Sequence, residues 1–425
     1  MNPRMKLKGI IAFFGIIFTA SAVSAQNTST SPYSYYGIGE LLFDSNIEQH
    51  GMGGISAVPV NPFYSSANFS NPAANRDLRY TAFDFSVNTD MVQFKDNNAT
   101  SKRSTTYISN VSLAFPMGAK ARGGFGFQPY SSTGYNLYTI KETDEINYGK
   151  TFTGKGGLNS IHLMGSYNLT PEFTVGVRAN FLFGTADRTQ TLTVEDLALQ
   201  TDYTTKTKAN GAQFTLGSMY TKRIGQDKRF DVGATYTLGS KINAEIEDFT
   251  ITYSEISLTP TNVDTILYQK IDGKIKLPQA VSLAASYRKD LHWMVGAQFD
   301  WGDWGGYAFN GVDDANVNTR IRVSAGGFWI PDFNSYKSYF DRVTYRIGGF
   351  YESTPLKING TRIKNYGFTF GFGLPIGKGD PSMLNIAAEL GRYGTIEGLT
   401  VRENYAKLKI GFTINDSWFK KRVID

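Results

Sequence analysis

The sequence predicts an all-β chain, a transmembrane antiparallel β-barrel of about 14 strands with an N-terminal hatch or plug segment. Three observations predict it. From Arg79 onward, apolar side chains alternate with small or polar ones at period two, which sends one set to each face of a sheet. Many of these runs reach about ten residues or more, the length of a tilted bilayer crossing rather than of a sandwich strand. The connections also alternate between long and short, as the outer loops and inner turns of such barrels do.

Composition removes other classes. The 425 residues include 14% aromatics, 44 glycines, three histidines and no cysteine. That excludes a disulfide scaffold, a thiolate zinc site and a cysteine nucleophile. A mean hydropathy of −0.27 excludes a polytopic helical membrane protein, which needs repeated apolar runs of about 20 residues. The formal net charge is +6, and Arg4, Lys6 and Lys8 crowd the first few residues, so no nucleic-acid footprint is present.

Residues 1–25 are expected to be a signal peptide. A basic head is followed by an apolar run from Gly9 to Ala20, and Val23-Ser24-Ala25 supplies a small-residue cleavage site before Gln26. Residues 26–78 lack period-two patterning. Gly37, Gly39, Gly51, Gly53, Gly54, Pro59, Pro62 and Pro72 favour irregular compact backbone. Seven Tyr and Phe residues, Tyr33 and Phe69 among them, argue against a free linker. A barrel of this size otherwise encloses a pore, so the segment is expected to plug it, in preference to docking outside it.

Residues 79–414 form the barrel. Strands are expected at 79–91, 104–115, 121–139, 148–169, 173–189, 207–221, 229–256, 271–288, 292–303, 319–329, 343–352, 364–375, 383–393 and 404–414. In one of them Phe173, Val175, Val177, Ala179, Phe181 and Phe183 alternate with Thr174, Gly176, Arg178 and Asn180. Tyr107 with Phe115, Phe173 with Phe183, and Trp293 with Trp301 are placed in interfacial girdles. Linkers such as 92–103, 190–206, 257–270 and 353–363 are long, and Pro116–Lys120 and Leu169–Glu172 are short. Ile330–Arg342 breaks this rule as a long connection on the short-turn side. Both mature termini are expected on the periplasmic side of a bacterial outer membrane, with 415–425 as a periplasmic tail.

Gly51-Met52-Gly53-Gly54 and Asn71-Pro72-Ala73 resemble the hatch of the FadL/TodX family of outer-membrane transporters for fatty acids and other hydrophobic compounds. Leu277-Pro278, Tyr287, Trp293, Asp300-Trp301 and Trp304, then Arg346–Tyr351 with Thr354-Pro355-Leu356, are similar to two barrel blocks of that family. The resemblance implies a hatch-gated channel for hydrophobic ligands, with the gate at Gly51, Gly53, Gly54, Asn71, Pro72 and Ala73. It also implies a kinked third strand that opens the wall sideways. The matching stretch holds Gly123, Gly124, Gly126 and Pro129, residue types that interrupt a ladder; a plain Gly-rich strand near its turn is the alternative. Asn71–Ala73 would supply partners to the interrupted backbone, which lipid cannot do.

No enzyme is expected, and no cofactor or metal. His162 points into the lumen without a nucleophile motif beside it, and a structural role fits it better. Gly371–Gly379 lacks the spacing of a phosphate-binding loop. Arg178, Arg320, Arg322 and Arg346 fall on the inward face, as do Asp84, Asp231 and Glu389. They are expected to pair across the lumen; one of the arginines alternatively receives a ligand carboxylate. The expected function is passive uptake of hydrophobic or amphipathic small molecules with lateral release into lipid. The partners are then outer-membrane lipid and the ligand. The alternative is a non-transporting barrel subunit of a larger secretion or barrel-assembly complex, which adds other outer-membrane proteins as partners.

Overall fold

The computed structural model describes residues 28–42, 46–63, 65–96, 99–142, 147–195, 197, 199–254, 261–377, 381–396 and 400–416. The expected signal peptide lies outside these residues. So does most of the expected tail: Asn415 and Asp416 belong to the last strand, and 417–425 are not described.

Fourteen antiparallel strands close into a barrel. They are β1 (Thr81–Lys95), β2 (Thr100–Met117), β3 (Ala121–Pro129, resumed at Tyr135–Lys141), β4 (Tyr148–Asn168), β5 (Phe173–Val194) and β6 (Leu199–Ile224). β7 (Lys228–Thr237, resumed at Ser240–Ser254) and β8 (Thr261–Leu277, resumed at Ala280–Lys289) each carry one break. β9 (Trp293–Gly302), β10 (Arg320–Trp329), β11 (Thr344–Ile358), β12 (Thr361–Pro375), β13 (Met383–Tyr393) and β14 (Arg402–Asp416) complete the wall. β1 closes on β14 in continuous register from Thr81↔Asp416 to Lys95↔Arg402.

The period-two face is apolar outward. Phe173, Val177, Phe181 and Phe183 of β5 and Tyr366, Phe368, Phe370 and Phe372 of β12 are exposed. Their inward neighbours Thr174, Arg178, Asn180 and Thr369 are buried. The ladder closes on itself, although overhang stretches such as Thr261–Lys274 and Tyr135–Lys141 pair on one side only, and an apolar outward face is what lipid requires of such a wall.

Three expectations need correction. The long linkers are mostly strand: 190–206 shrinks to the few residues between Val194 and Leu199, and 353–363 becomes the Asn359-Gly360 turn, both residues at positive φ. Thr-rich sequence extends the ladder there, with Thr189 and Thr204 hydroxyls 3.0 Å apart across β5 and β6. Asymmetry therefore resides in strand overhang rather than in loops. Second, Tyr107 is no girdle residue. The β1–β2 register slips at Ser109, and that bulge turns Tyr107 inward, buried, with Asn88 Nδ2 donating to its hydroxyl at 3.1 Å. Third, 121–139 is not one strand: its ladder is interrupted between Pro129 and Tyr135.

Residues 28–80 lie within the barrel, packed against the inward faces. Their regular pieces are short: 3-10 turns at Pro32–Tyr35 and Pro72–Asn75, a two-residue strand Glu40–Leu41, and helix α1 (Ile47–His50). Ser31 and Tyr33 meet Glu403 and Val401 at the overhang end. Arg76 and Leu78 meet Glu172 and Arg122 at the short-turn end. Among the described residues, Ser29 lies toward the overhang end and Asp416 at the short-turn end; the mature termini that the sequence reading places on one side lie outside the described residues. Ile330–Arg342 is a true excursion at the short-turn end, docked by Phe333 against Phe63 with centroids 5.0 Å apart.

Candidate functional site

The site is the seam between segment 28–80 and the wall. Its centre is α1 and the turn that follows. Asn46 and Gln49 form a capping box: Gln49 N donates to Asn46 Oδ1, and Asn46 N to Gln49 Oε1, each at 2.9 Å. Gly51 ends the helix. Gly53 and Gly54 take positive φ (71° and 84°), a conformation that glycine adopts without a Cβ clash, and Gly54 N donates back to Gln49 O at 2.8 Å. The resulting loop presents backbone to the wall: Gly53 N donates to Thr369 Oγ1 at 2.8 Å, and Gly53 O accepts from Arg322 Nη2 at 3.0 Å.

The second anchor is Asn71–Ala73. Asn71 Nδ2 donates to Ala57 O at 2.7 Å and to Ser218 O of β6 at 3.1 Å, and its Oδ1 accepts from Ala73 N. Pro72 lies flat on Gly176 of β5, where a Cβ would come within 2.7 Å of its ring. Asn71–Ala73 thus sit against β5 and β6, and the interrupted third strand finds its partners elsewhere.

Three of the four inward arginines hold this segment. Arg178 Nη1 donates to Phe69 O at 2.9 Å, and Arg322 bonds Gly53 as above. Arg346 pairs with Glu48 at 3.3 Å and donates to Asn385 Oδ1 at 3.0 Å. Arg320 and Arg322 share Glu352 at 2.6 and 3.2 Å, and the Arg322 guanidinium stacks 3.8 Å from the Phe350 centroid. Bidentate or shared arginine–carboxylate contacts of this kind are short and directional. Asp231 pairs with Arg288 at 3.0 Å, and Glu389 accepts from Tyr405 at 3.0 Å. His162 is buried edge-on against Phe69, with centroids 4.5 Å apart, a packing role. Burial, with Lys409, Lys407 and Arg322 nearby, pushes the His50 imidazole well below its ordinary pKa, so a neutral ring faces Glu389 at 3.5 Å.

Sequence reasoning missed part of the seam: Glu48, Thr369, Gln298 (whose Oε1 accepts from Ser56 N and Ala57 N at 2.7 and 2.9 Å) and a set of wall glycines. Gly217, Gly233, Gly326 and Gly348 occupy inward positions where a Cβ would collide with plug backbone or Asn71. The signal was available, as glycine at inward parity on successive strands.

The wall interruption is the second feature. The ladder passes intact through Gly123, Gly124 and Gly126, which pair with both β2 and β4. Room for His162 explains Gly126, since a Cβ there would come within 2.5 Å of its Nε2. The break follows Pro129. Ser131 and Ser132 turn inward and pair with Leu41 and Glu40, Leu42 N donates to Tyr130 O at 3.1 Å, and Gly134 N donates to Ser34 Oγ at 3.0 Å. Opposite them, Gly156 and Gly157 of β4 take positive φ. The partners of the interrupted backbone are thus residues 34–42 together with Leu158 O and Gly156 O of β4, which accept from Tyr130 N and Thr133 N at 2.8 Å each, not Asn71–Ala73. Burial pushes the Glu40 carboxyl upward, opposed by Lys407 and the Ser29 hydroxyl.

A cavity of about 330 Å³ lies beside this hook, lined by Tyr107, Gln128 and Tyr130 and by charged Arg320, Glu352 and Lys407. Among the described residues no cluster of metal-ligating side chains occurs.

A closed antiparallel barrel with an apolar outer belt, and with its own N-terminal segment packed against its inward face, defines a plugged membrane β-barrel. The chain belongs to the BamG family, whose model matches residues 6–425. Its fold is shared with a Pseudomonas aeruginosa FadL homologue (TM-score 0.59, 12% identity, covering 89% of this chain and 99% of that one). It is shared too with the Ralstonia pickettii toluene transporter TbuX (0.56, 14%, 88% and 99%) and the P. putida toluene transporter TodX (0.56, 16%, 88% and 99%). The FadL/TodX resemblance thus holds at the level of fold, while the family that spans the chain is BamG. No curated protein matches.

Proposed function

We propose that the protein is a sealed outer-membrane barrel acting as a subunit of a larger outer-membrane secretion or barrel-assembly complex, with its short-turn end in the periplasm. The observation that carries this reading is the seam. Buried bonds from Arg178, Arg322, Arg346, Thr369, Gln298 and Ser218 hold the plug on several sides. Each buried charge-assisted bond contributes about 1.5–3 kcal/mol, so displacement of the plug is costly. The residual cavity mixes charged groups (Arg320, Glu352, Lys407) with apolar ones (Ile38, Leu41, Trp304, Leu356), so only part of its wall offers the apolar surroundings from which a methylene gains about 0.8 kcal/mol. At the short-turn end the 330–343 excursion leaves Tyr336 97% and Phe340 70% exposed, and exposed aromatics there suit docking.

Passive uptake of hydrophobic compounds is the second reading. The interrupted wall beside the cavity favours it, as do the toluene transporters that share the fold. A gate would then lie at Gly51–Gly54 and Asn71–Ala73, with release past Pro129.

One cross-link separates the two. A Cβ at Gly51 stands 3.6 Å from that of Ala387, inside the roughly 3.5–4.5 Å of disulfides, and the chain has no other cysteine. Oxidised Gly51→Cys/Ala387→Cys protein is expected to copurify with its companions as the unmodified protein does, and to support growth equally. Uptake of a hydrophobic probe that stops on oxidation and returns on reduction would instead establish the channel.

A further inference from the structure

Just beyond the lipid belt, on the outer surface of β6, β7 and β8, the wall carries a cluster of lysines. Lys241 of β7 stands directly opposite Lys276 of β8, with Lys274 opposite Asn243 two pairs further on. Lys208 of β6 faces Glu245. These side chains point outward, because the alternate residues Ile242, Ala244, Ile275 and Leu277 are buried in the interior cluster. They line a cavity of about 850 Å³, walled on one side by the Asn310-Gly311 hairpin turn.

The charge there is not balanced by the protein. Glu245 is engaged by Lys270 at 3.0 Å, and Asp272 is the other acid lining the cavity. Among the described residues, Lys241, Lys274 and Lys276 make no ion pair within 4.0 Å. Like charges directly across a ladder oppose pairing. An arrangement that places two such lysines face to face is relieved by a bound anion.

Position identifies the anion. Tyr236 and Leu238 of β7 and Phe214 of β6 are exposed in the apolar belt, and on the unbroken β6 Asn210, which pairs with Asn243, stands four residues from Phe214, about 13 Å at about 3.3 Å per residue. A molecule with acyl chains on that belt places its headgroup among these lysines. We propose that this cleft binds the phosphate-bearing headgroup of an anionic membrane lipid, its phosphate held by Lys241, Lys274 and Lys276 and its polar portion by Asn243. Ammonium groups act as point charges toward phosphate, and basic residues at the membrane surface attract anionic lipid. The inference rests on the membrane-barrel reading and is independent of whether the barrel transports.

Full-length protein in nanodiscs of phosphatidylglycerol and phosphatidylcholine, examined by native mass spectrometry, tests it. The wild type should retain phosphatidylglycerol at least about tenfold over phosphatidylcholine, a preference that weakens with salt. The Lys241→Gln/Lys274→Gln/Lys276→Gln variant should lose that preference. Lys222→Gln/Lys228→Gln, at the opposite rim, should keep it. Equal retention of both lipids by wild type, an unchanged triple variant, or full displacement by millimolar inorganic phosphate each overturns the proposal, the last by assigning a free-anion site. Extraction of the chain without detergent would refute the membrane reading itself, and is seen before any lipid is counted.

Discussion

Arg346→Ala is expected to loosen the plug by about 3–5 kcal/mol, the effect of leaving one partner of a buried ion pair uncompensated. Glu48 is 2% exposed and would keep only the bonds from Asn61 Nδ2 at 2.8 Å and Ser66 Oγ at 2.6 Å. Arg346 also donates to Asn385 of β13, so a bond between two wall strands is lost at the same time. Limited proteolysis should cut within residues 46–63 in the variant and spare the wild type, while the barrel keeps its heat-modifiable migration. Glu48→Met/Arg346→Met removes both charges and should restore most of the resistance, because the penalty lies in the orphaned carboxylate rather than in the lost attraction. Equal resistance of Arg346→Ala and wild type would show that the pair does not hold the plug.

Gly348→Leu should evict the plug. A Cβ at 348 would sit within 2.8 Å of Met52 Cα and nearer still to the next peptide, and one at Gly326 within 2.7 Å of Met52 O. The obstacles are backbone atoms, so no rotamer change makes room, and overpacking of about 1–3 kcal/mol per site is a lower bound. The expected result is a conducting pore in planar bilayers where the wild type is closed. Gly165→Leu is the control: nothing lies within 4 Å of its Cβ position, and it should remain closed. A closed Gly348→Leu barrel with protease-resistant plug would refute the fit described here.

The barrel wall was legible because lipid enforces contrast between two faces; Phe173 to Phe183 against Thr174 to Asn180 is that contrast written out. Where the strands leave the bilayer, both faces are wet and the contrast vanishes, so Gln190–Thr193 and Thr201–Thr205 read as loop although they are paired strand. Tyr107 failed for a different reason: one bulge at Ser109 reverses every residue beyond it. The plug was recognisable from glycine, proline and aromatic content. Its grips were not, since alternation says that Arg346 or Gln298 faces inward without saying what it meets. The sequence places the break in β3 at Gly123, Gly124, Gly126 and Pro129; the ladder holds through the glycines and ends at Pro129, and the chain turns at Ser131–Ser132, where the partner is a strand ninety residues upstream that local pattern cannot reveal.

The grips on the plug come largely from the far end of the chain: Thr369 lies 316 positions after Gly53, and Arg346 298 after Glu48. Contacts of such separation form late. The first part of the chain is therefore a mandrel around which the remainder must be wound, and an unfinished cylinder, lacking its last four staves, would leave that mandrel loose. Any factor that completes such a protein in the membrane must keep the early segment from wandering until the closing stave is fitted.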